Sequence, residues 1–196
     1  MQPSRQNRPS SCQPPVVTMP KRLVIGVDPG PLASGLVVYE VPEEGAVGRV
    51  LHTEKQASLD TVRFALDAWR RRAAQSGTPC SVAVERTQAG PPSTAVVRTT
   101  EVVGRIWEAC AARKMDCHLY YRRQVLQALG CARHGNKDSH VRNALIEIHG
   151  GSRQVAIGKK ADPGPLYGVS SHAWQALGVV FAHLLLPALD PEDTHG

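Results

Sequence analysis

Two acidic residues close two apolar runs. Leu23-Val24-Ile25-Gly26-Val27-Asp28 climbs through apolar residues to a carboxylate and stops at Pro29-Gly30. Cys80-Ser81-Val82-Ala83-Val84-Glu85 ends the same way. A carboxylate at the end of a buried strand is costly to desolvate unless a metal, a hydrogen bond or a counter-charge compensates it. If the two strands are parallel neighbours, both acids meet at the carboxyl end of the sheet, where open α/β sheets bind ligands. The plainer readings are an Asp that only caps the Pro-Gly turn and a surface Glu that starts a loop. Asp28 alone does not separate the two. For Glu85 the plainer reading is weaker, because Gln88 to Pro92 is already a turn and needs no acid.

His172 and Gln175 form the next pair. Their spacing of three puts both side chains on one face at the start of a helix. Alone, His172 reads equally as a helix-end residue bonded to a backbone group. Basic residues form two further groups. Arg122, Arg123, Arg133, Lys137 and Arg142 surround a loop and two helix starts, and Lys159 and Lys160 sit in the connection to the last helix. These groups are expected to contact phosphates, which positions a nucleic acid without reading its sequence. Arg70, Arg71 and Arg72 read as a solvated helix end.

The elements that must position these residues follow from pattern. Residues 1–20 are rich in Pro, Ser, Gln and Arg with little to bury, so a disordered basic tail is expected. Strands are expected at 22–28 and 34–41, and a third from Val47 to Thr53 after the turn Pro42-Glu43-Glu44-Gly45. Ser58 caps a helix carrying Leu59, Val62, Leu66 and Trp69, which Gly77-Thr78-Pro79 breaks. After the Glu85 strand comes a long helix from Ser93 to Lys114. It has a stripe of Val96, Val103, Ile106, Trp107 and Cys110, and Gly104 leaves room for another backbone. Cys117 to Tyr120 is the last strand. Arg122 to Leu129 is a short helix ended by Gly130. Asp138 or Ser139 caps a helix with Val141, Ala144, Leu145 and Ile148 on one face, closed by Gly150-Gly151. Residues 152–169 read as a basic Gly/Pro-rich connection. A final helix runs from Ser170 to about Leu186, capped by Ser170 or Ser171, and residues 189–196 fray.

Composition bounds the function. The 196 residues suffice for one domain with a real core, here 21–188. A net charge of +6 makes an acidic partner such as nucleic acid plausible. The five cysteines are odd in number and show no CxxC spacing, which fits thiols in a reducing cytoplasm and neither a zinc site nor a disulfide framework. No run nears the roughly 20 apolar residues of a membrane span, and no apolar signal segment opens the chain.

The order of elements resembles the RNase H-like fold, an α/β architecture with a five-stranded mixed sheet flanked by helices. More specifically, it is similar to the RuvC family of Holliday junction resolvases. Four stretches carry the resemblance, and together they cover about residues 22–186. They are Ile25-Gly26-Val27-Asp28-Pro29-Gly30; Val84-Glu85; Tyr121-Arg122-Arg123-Gln124-Val125 with Gly135-Asn136-Lys137-Asp138-Ser139-His140-Val141; and Ser171-His172-Ala173-Trp174-Gln175-Ala176-Leu177. The resemblance implies a crossover junction endodeoxyribonuclease of DNA recombination and repair. It implies paired nicks from a homodimer, two Mg²⁺ ions per site with Mn²⁺ as a substitute, and branch-migration proteins as partners. Asp28, Glu85, His172 and Gln175 would be the catalytic and metal residues, and Lys137 the foremost phosphate contact. The helix 93–114 is the expected dimer seam, unless its stripe faces the sheet.

Two departures stand out. Gln175 occupies a place where the family has Asp, which leaves two carboxylates against two divalent cations. A weaker second metal site, replacement by Asp162, and a chain that binds junctions without cutting them are all open on this point. The family also stacks an aromatic on unpaired bases just after its second acid, where this chain has Arg86-Thr87-Gln88. An RNA-directed or other branched-DNA nuclease of the same fold is a further alternative. An actin-like or sugar-kinase-like ATPase ranks lower, because a second phosphate-binding Asp-Gly hairpin is missing.

Overall fold

The computed structural model describes residues 21–43, 48–87, 93–134 and 137–186. The expected tails at 1–20 and 189–196 lie outside the described residues, as do Gln88 to Pro92 and Gly135-Asn136.

Three strands open the fold, β1 (Arg22–Asp28), β2 (Ser34–Val41) and β3 (Arg49–Ala57). Helix α1 (Leu59–Ser76) follows, then β4 (Cys80–Arg86), α2 (Thr94–Ala112) and β5 (Asp116–Tyr121). The chain continues through α3 (Arg122–Ala128), a 3₁₀ turn (Ala132–His134), α4 (Asp138–Ile148) and α5 (Arg153–Ala156). A small ribbon of β6 (Gly158–Lys159) and β7 (Asp162–Pro163) leads to α6 (Ala173–Leu185). The five long strands form one mixed sheet in the order β3-β2-β1-β4-β5. β1, β2 and β3 pair antiparallel, while β4 runs parallel to both β1 and β5. The five-stranded mixed sheet flanked by helices is therefore present as expected.

Each strand divides its side chains between two cores, as the period of two requires. Ile25, Val27, Val82 and Val84 pack under α1 and α2, with Val62, Leu66 and Ile106. Val24 and Ala83 face the opposite layer, where α6 carries Ala176, Leu177 and Val180. Helix α6 is buried along almost its whole length, with α3 and α4 packed outside it.

Two glycines seat α6 on the sheet. A Cβ on Gly26 would run into the Ala176 carbonyl, and one on Gly35 into the His172 carbonyl. Without side chains there, the start of α6 lies directly over the ends of β1 and β2. By strand parity, Asp28 shares the α6 face with Gly26, and Glu85 shares it with Ala83.

Several local expectations are corrected. β3 runs to Ala57 and not to Thr53, because pairing with β2 continues past Thr53 through one register shift to Ser34 opposite Ala57. On α2, Val103, Ile106 and Cys110 are buried against the sheet, but Trp107 is 47% exposed and Val96 only half-buried. Gly104 has no atom near its Cβ position, so no backbone approaches it within the chain. Lys137, not Asp138 or Ser139, is the N-cap of α4, and Asp138 is its first helical residue. Ile148 is exposed, while Ile146 and His149 turn inward. Residues 152–169 are more than a connection, since they hold α5 and the ribbon. Helix α6 starts at Ala173, not Ser170, and neither Ser170 nor Ser171 caps it. Ser171 instead adopts a left-handed φ of 48°, which costs a non-glycine about 1 kcal/mol, and His172 takes the N-cap position.

Candidate active site

Val27 and Val84 are register partners on the parallel pair β1 and β4, so Asp28 and Glu85 end adjacent strands side by side. Both are mostly buried, with side chains 18% and 15% exposed. Burial pushes each carboxyl up to about 7. Arg122 opposes the rise at both, the Asp28 charge adds to the rise at Glu85, and Asp138 adds to both. His172 stands at the mouth, with Nδ1 3.6 Å from Asp28 Oδ2 and its side chain 58% exposed.

Arg122 reaches into the site. It is the first residue of α3, immediately after β5, and β5 lies beside β4 with Tyr120 opposite Glu85. The Tyr121 N–H donates to Gln124 Oε1 at 2.7 Å, which fixes the start of α3. The Arg86 guanidinium covers the Tyr121 ring at 4.4 Å. From this anchored base, Arg122 Nη1 donates to Gln175 Oε1 and lies 3.5 Å from Glu85 Oε2. Arg122 Nη2 donates to Asp138 Oδ1 at 2.8 Å. At 3.5 Å the Glu85 contact is an ion pair without hydrogen-bond geometry, and Glu85 Oε2 is buried with no hydrogen-bond partner among the described residues. Gln175 is 5% exposed, on the inner face of α6.

Beside the carboxylates lies a cleft of about 460 Å³. Its wall includes Ser139, Arg142, Arg153, Ser170, His172 and Gln175. Arg142 Nε is buried without a hydrogen-bond partner among the described residues.

The structure thus brings Asp28, Glu85, His172, Gln175 and Arg122 together, with Arg142 in the adjoining cleft. It does not gather the remaining basic residues there. Arg123, Arg133 and Lys137 are exposed on α3, the 3₁₀ turn and the α4 cap. Lys159 and Lys160 are exposed on the ribbon, with Lys159 opposite Asp162. Asp162 is itself exposed, and the further acid whose charge reaches both Asp28 and Glu85 is Asp138. Sequence reading took Asp138 for a helix cap, and placed Arg153 in the basic connection 152–169 without giving it a role. Arg122, expected at a phosphate, here donates to Gln175 and Asp138 and pairs with Glu85. The signal for Arg122 was its place at the end of β5, next to the strand that carries Glu85.

These residues can be tested against the divalent cations that the resemblance implies. Asp28 and Glu85 are paired, desolvated and short of positive charge, and one carboxylate oxygen has no hydrogen-bond partner. That fits one hard cation, since Mg²⁺ is commonly held by one or two carboxylates with water and phosphate oxygens completing its shell. Among the described residues, no three His, Cys, Asp or Glu converge as a metal cage. Gln175 Oε1 and Asp138 Oδ1 accept from Arg122.

No family model matches this chain, and no curated protein sequence does. Solved structures do match. Thermus thermophilus RuvC is 24% identical, over 83% of this chain and 93% of that one, with a TM-score of 0.58. T. thermophilus RuvC in complex with Holliday junction substrate is 23% identical, over 84% and 93%, with a TM-score of 0.57. At this identity the likeness establishes the RuvC-like, RNase H-like fold.

Proposed function

We propose that this chain is a structure-selective endonuclease that nicks four-way DNA junctions by metal-dependent phosphodiester hydrolysis. The observation that carries the reading is the pairing of Asp28 and Glu85 at the carboxyl ends of β1 and β4, on a fold shared with a junction-binding RuvC. Asp28 and Glu85 hold a divalent cation, Mg²⁺ or Mn²⁺. When bound, it supplies water activation and stabilisation of the leaving oxygen. His172, open to solvent beside Asp28, takes a proton from water at its free nitrogen. Arg142 and Arg153 hold a neighbouring backbone phosphate in the cleft. The exposed Arg123, Arg133, Lys137, Lys159 and Lys160 extend the phosphate track. A two-fold homodimer presents two such sites to two strands.

Cleavage of a labelled synthetic four-way junction, beside a linear duplex of the same sequence, tests this in Mg²⁺ and in Mn²⁺. The junction alone is nicked, and Asp28→Asn lowers the rate by more than the roughly 10- to 100-fold that loss of an outer partner costs. Equal cutting of the duplex would overturn the substrate. Undiminished cutting by Asp28→Asn would overturn the site.

One observation favours a second reading. Gln175 and Arg122 are bonded to each other at the place where the family has an acid. A chain that binds junctions without cutting them fits that arrangement. Tight junction binding with no nicking in either metal would decide for it.

A further inference from the structure

We infer that the Arg122 guanidinium is a built-in second positive charge, so that this chain takes one divalent cation, at Asp28 and Glu85, and not two. The inference rests on the metal-dependent nuclease reading above and narrows its site. Gln175 Oε1 and Asp138 Oδ1 accept from this side chain, Glu85 Oε2 lies 3.5 Å from it, and it is only 17% exposed. The amide oxygen of Gln175, which stands where an acid would serve a second cation, is already taken by Arg122.

The formal charges agree. Asp28, Glu85 and Asp138 bring three negative charges. One divalent cation with Arg122 brings three positive charges, and two cations with Arg122 bring five. Unlike lysine, arginine does not shed its proton in a protein, so its charge cannot be switched off to admit a second ion. The position is also anchored. Arg122 opens α3, whose start is tied by the Tyr121–Gln124 hydrogen bond. Gln175 then has a physical role. Its amide oxygen accepts from the guanidinium, where an acid would add a charge that Arg122 already leaves without need.

Mn²⁺ binding to the full chain without DNA tests this, counted by titration calorimetry and by electron paramagnetic resonance. One ion per chain binds to the wild type, and Asp28→Asn abolishes it. Arg122→Met tightens that ion at least about tenfold, the scale of one neighbouring charge. Arg122→Met with Gln175→Asp binds two ions, which show the spin coupling of a close pair. Circular dichroism checks folding, and Arg122→Gln in the same pair provides the count if Arg122→Met unfolds. Two ions on the wild type, or one on a folded double variant, overturns the inference and leaves the nuclease reading standing. No ion on the wild type overturns both.

Discussion

Asp28 and Glu85 are held in a form that the unfolded chain does not favour. Burial raises both from ordinary carboxyl values to about 7. The folded state therefore binds more protons than the unfolded one between about pH 4 and 7. The stability this gives is fully present below the unfolded values and is lost as pH rises through about 7. A cation on the pair reverses that loss, since it binds the folded state alone. Arg142 lines the adjoining cleft, and its Nε is buried without a hydrogen-bond partner among the described residues. Each phosphate contact contributes about 0.9 to the slope of log K against log salt for duplex DNA. Arg142→Ala and Arg153→Ala should each flatten that slope by about 0.9, read by fluorescence anisotropy on junction DNA over a salt series. An unchanged slope would take the cleft out of the phosphate path.

At the scale of elements, α6 is clamped to the sheet at both ends. Its start is seated by the glycines of β1 and β2. Near its far end, His183 is bridged by two hydroxyls, with Ser81 Oγ 2.9 Å from Nε2 and Tyr120 OH 2.9 Å from Nδ1. The His118 ring lies 4.7 Å away. Burial above all, with the charges of His118 and Arg22, pushes His183 down to about 4, so it stays neutral and uses one nitrogen as donor and one as acceptor. The unfolded chain takes up this proton near pH 6.5 and the folded chain near 4. The clamp's stability is thus fully present above pH 6.5 and is lost as pH falls toward 4. His183→Leu should be less stable than wild type at pH 8 in urea unfolding. The gap should narrow by on the order of 2 kcal/mol by pH 5, at about 1.4 kcal/mol per unit. A gap independent of pH would show that the imidazole proton plays no part in docking α6.

At the scale of the whole molecule, α2 is the outer wall behind the sheet. Its inner stripe is used up by the core, but Val97 and Trp107 are 51% and 47% exposed, and Gly104 lies open between them. These positions recur at helical spacing on one face. We propose that face, and not the inner stripe, as the seam of a homodimer, with the open glycine admitting a second helix closely. Trp107→Glu should shift the chain from dimer to monomer in sedimentation velocity at micromolar concentration, while its circular dichroism stays unchanged. A dimer that survives the charge would move the seam elsewhere. No helix among the described residues is long and apolar enough to cross a membrane.

The sequence by itself determined the two strand-end acids, the five strands and the main helices, because these depend on local periodicity and on turn residues close by in the chain. It placed Asp28 and Glu85 at the same end of one sheet as soon as β1 and β4 were taken as parallel neighbours. What converged on those acids was decided only by tertiary structure. Arg122 and Gln175 are 53 residues apart, and they meet because α3 packs outside α6. Asp138 reads locally as a helix cap, and Asp162 is nearer in sequence to the last helix. Yet the packing of α4 brings Asp138 to the site, while the ribbon turns Asp162 out to solvent. The two acid-bearing strand ends are fixed by patterns a few residues long, whereas the charge balance of the site depends on how three helices stack over the sheet.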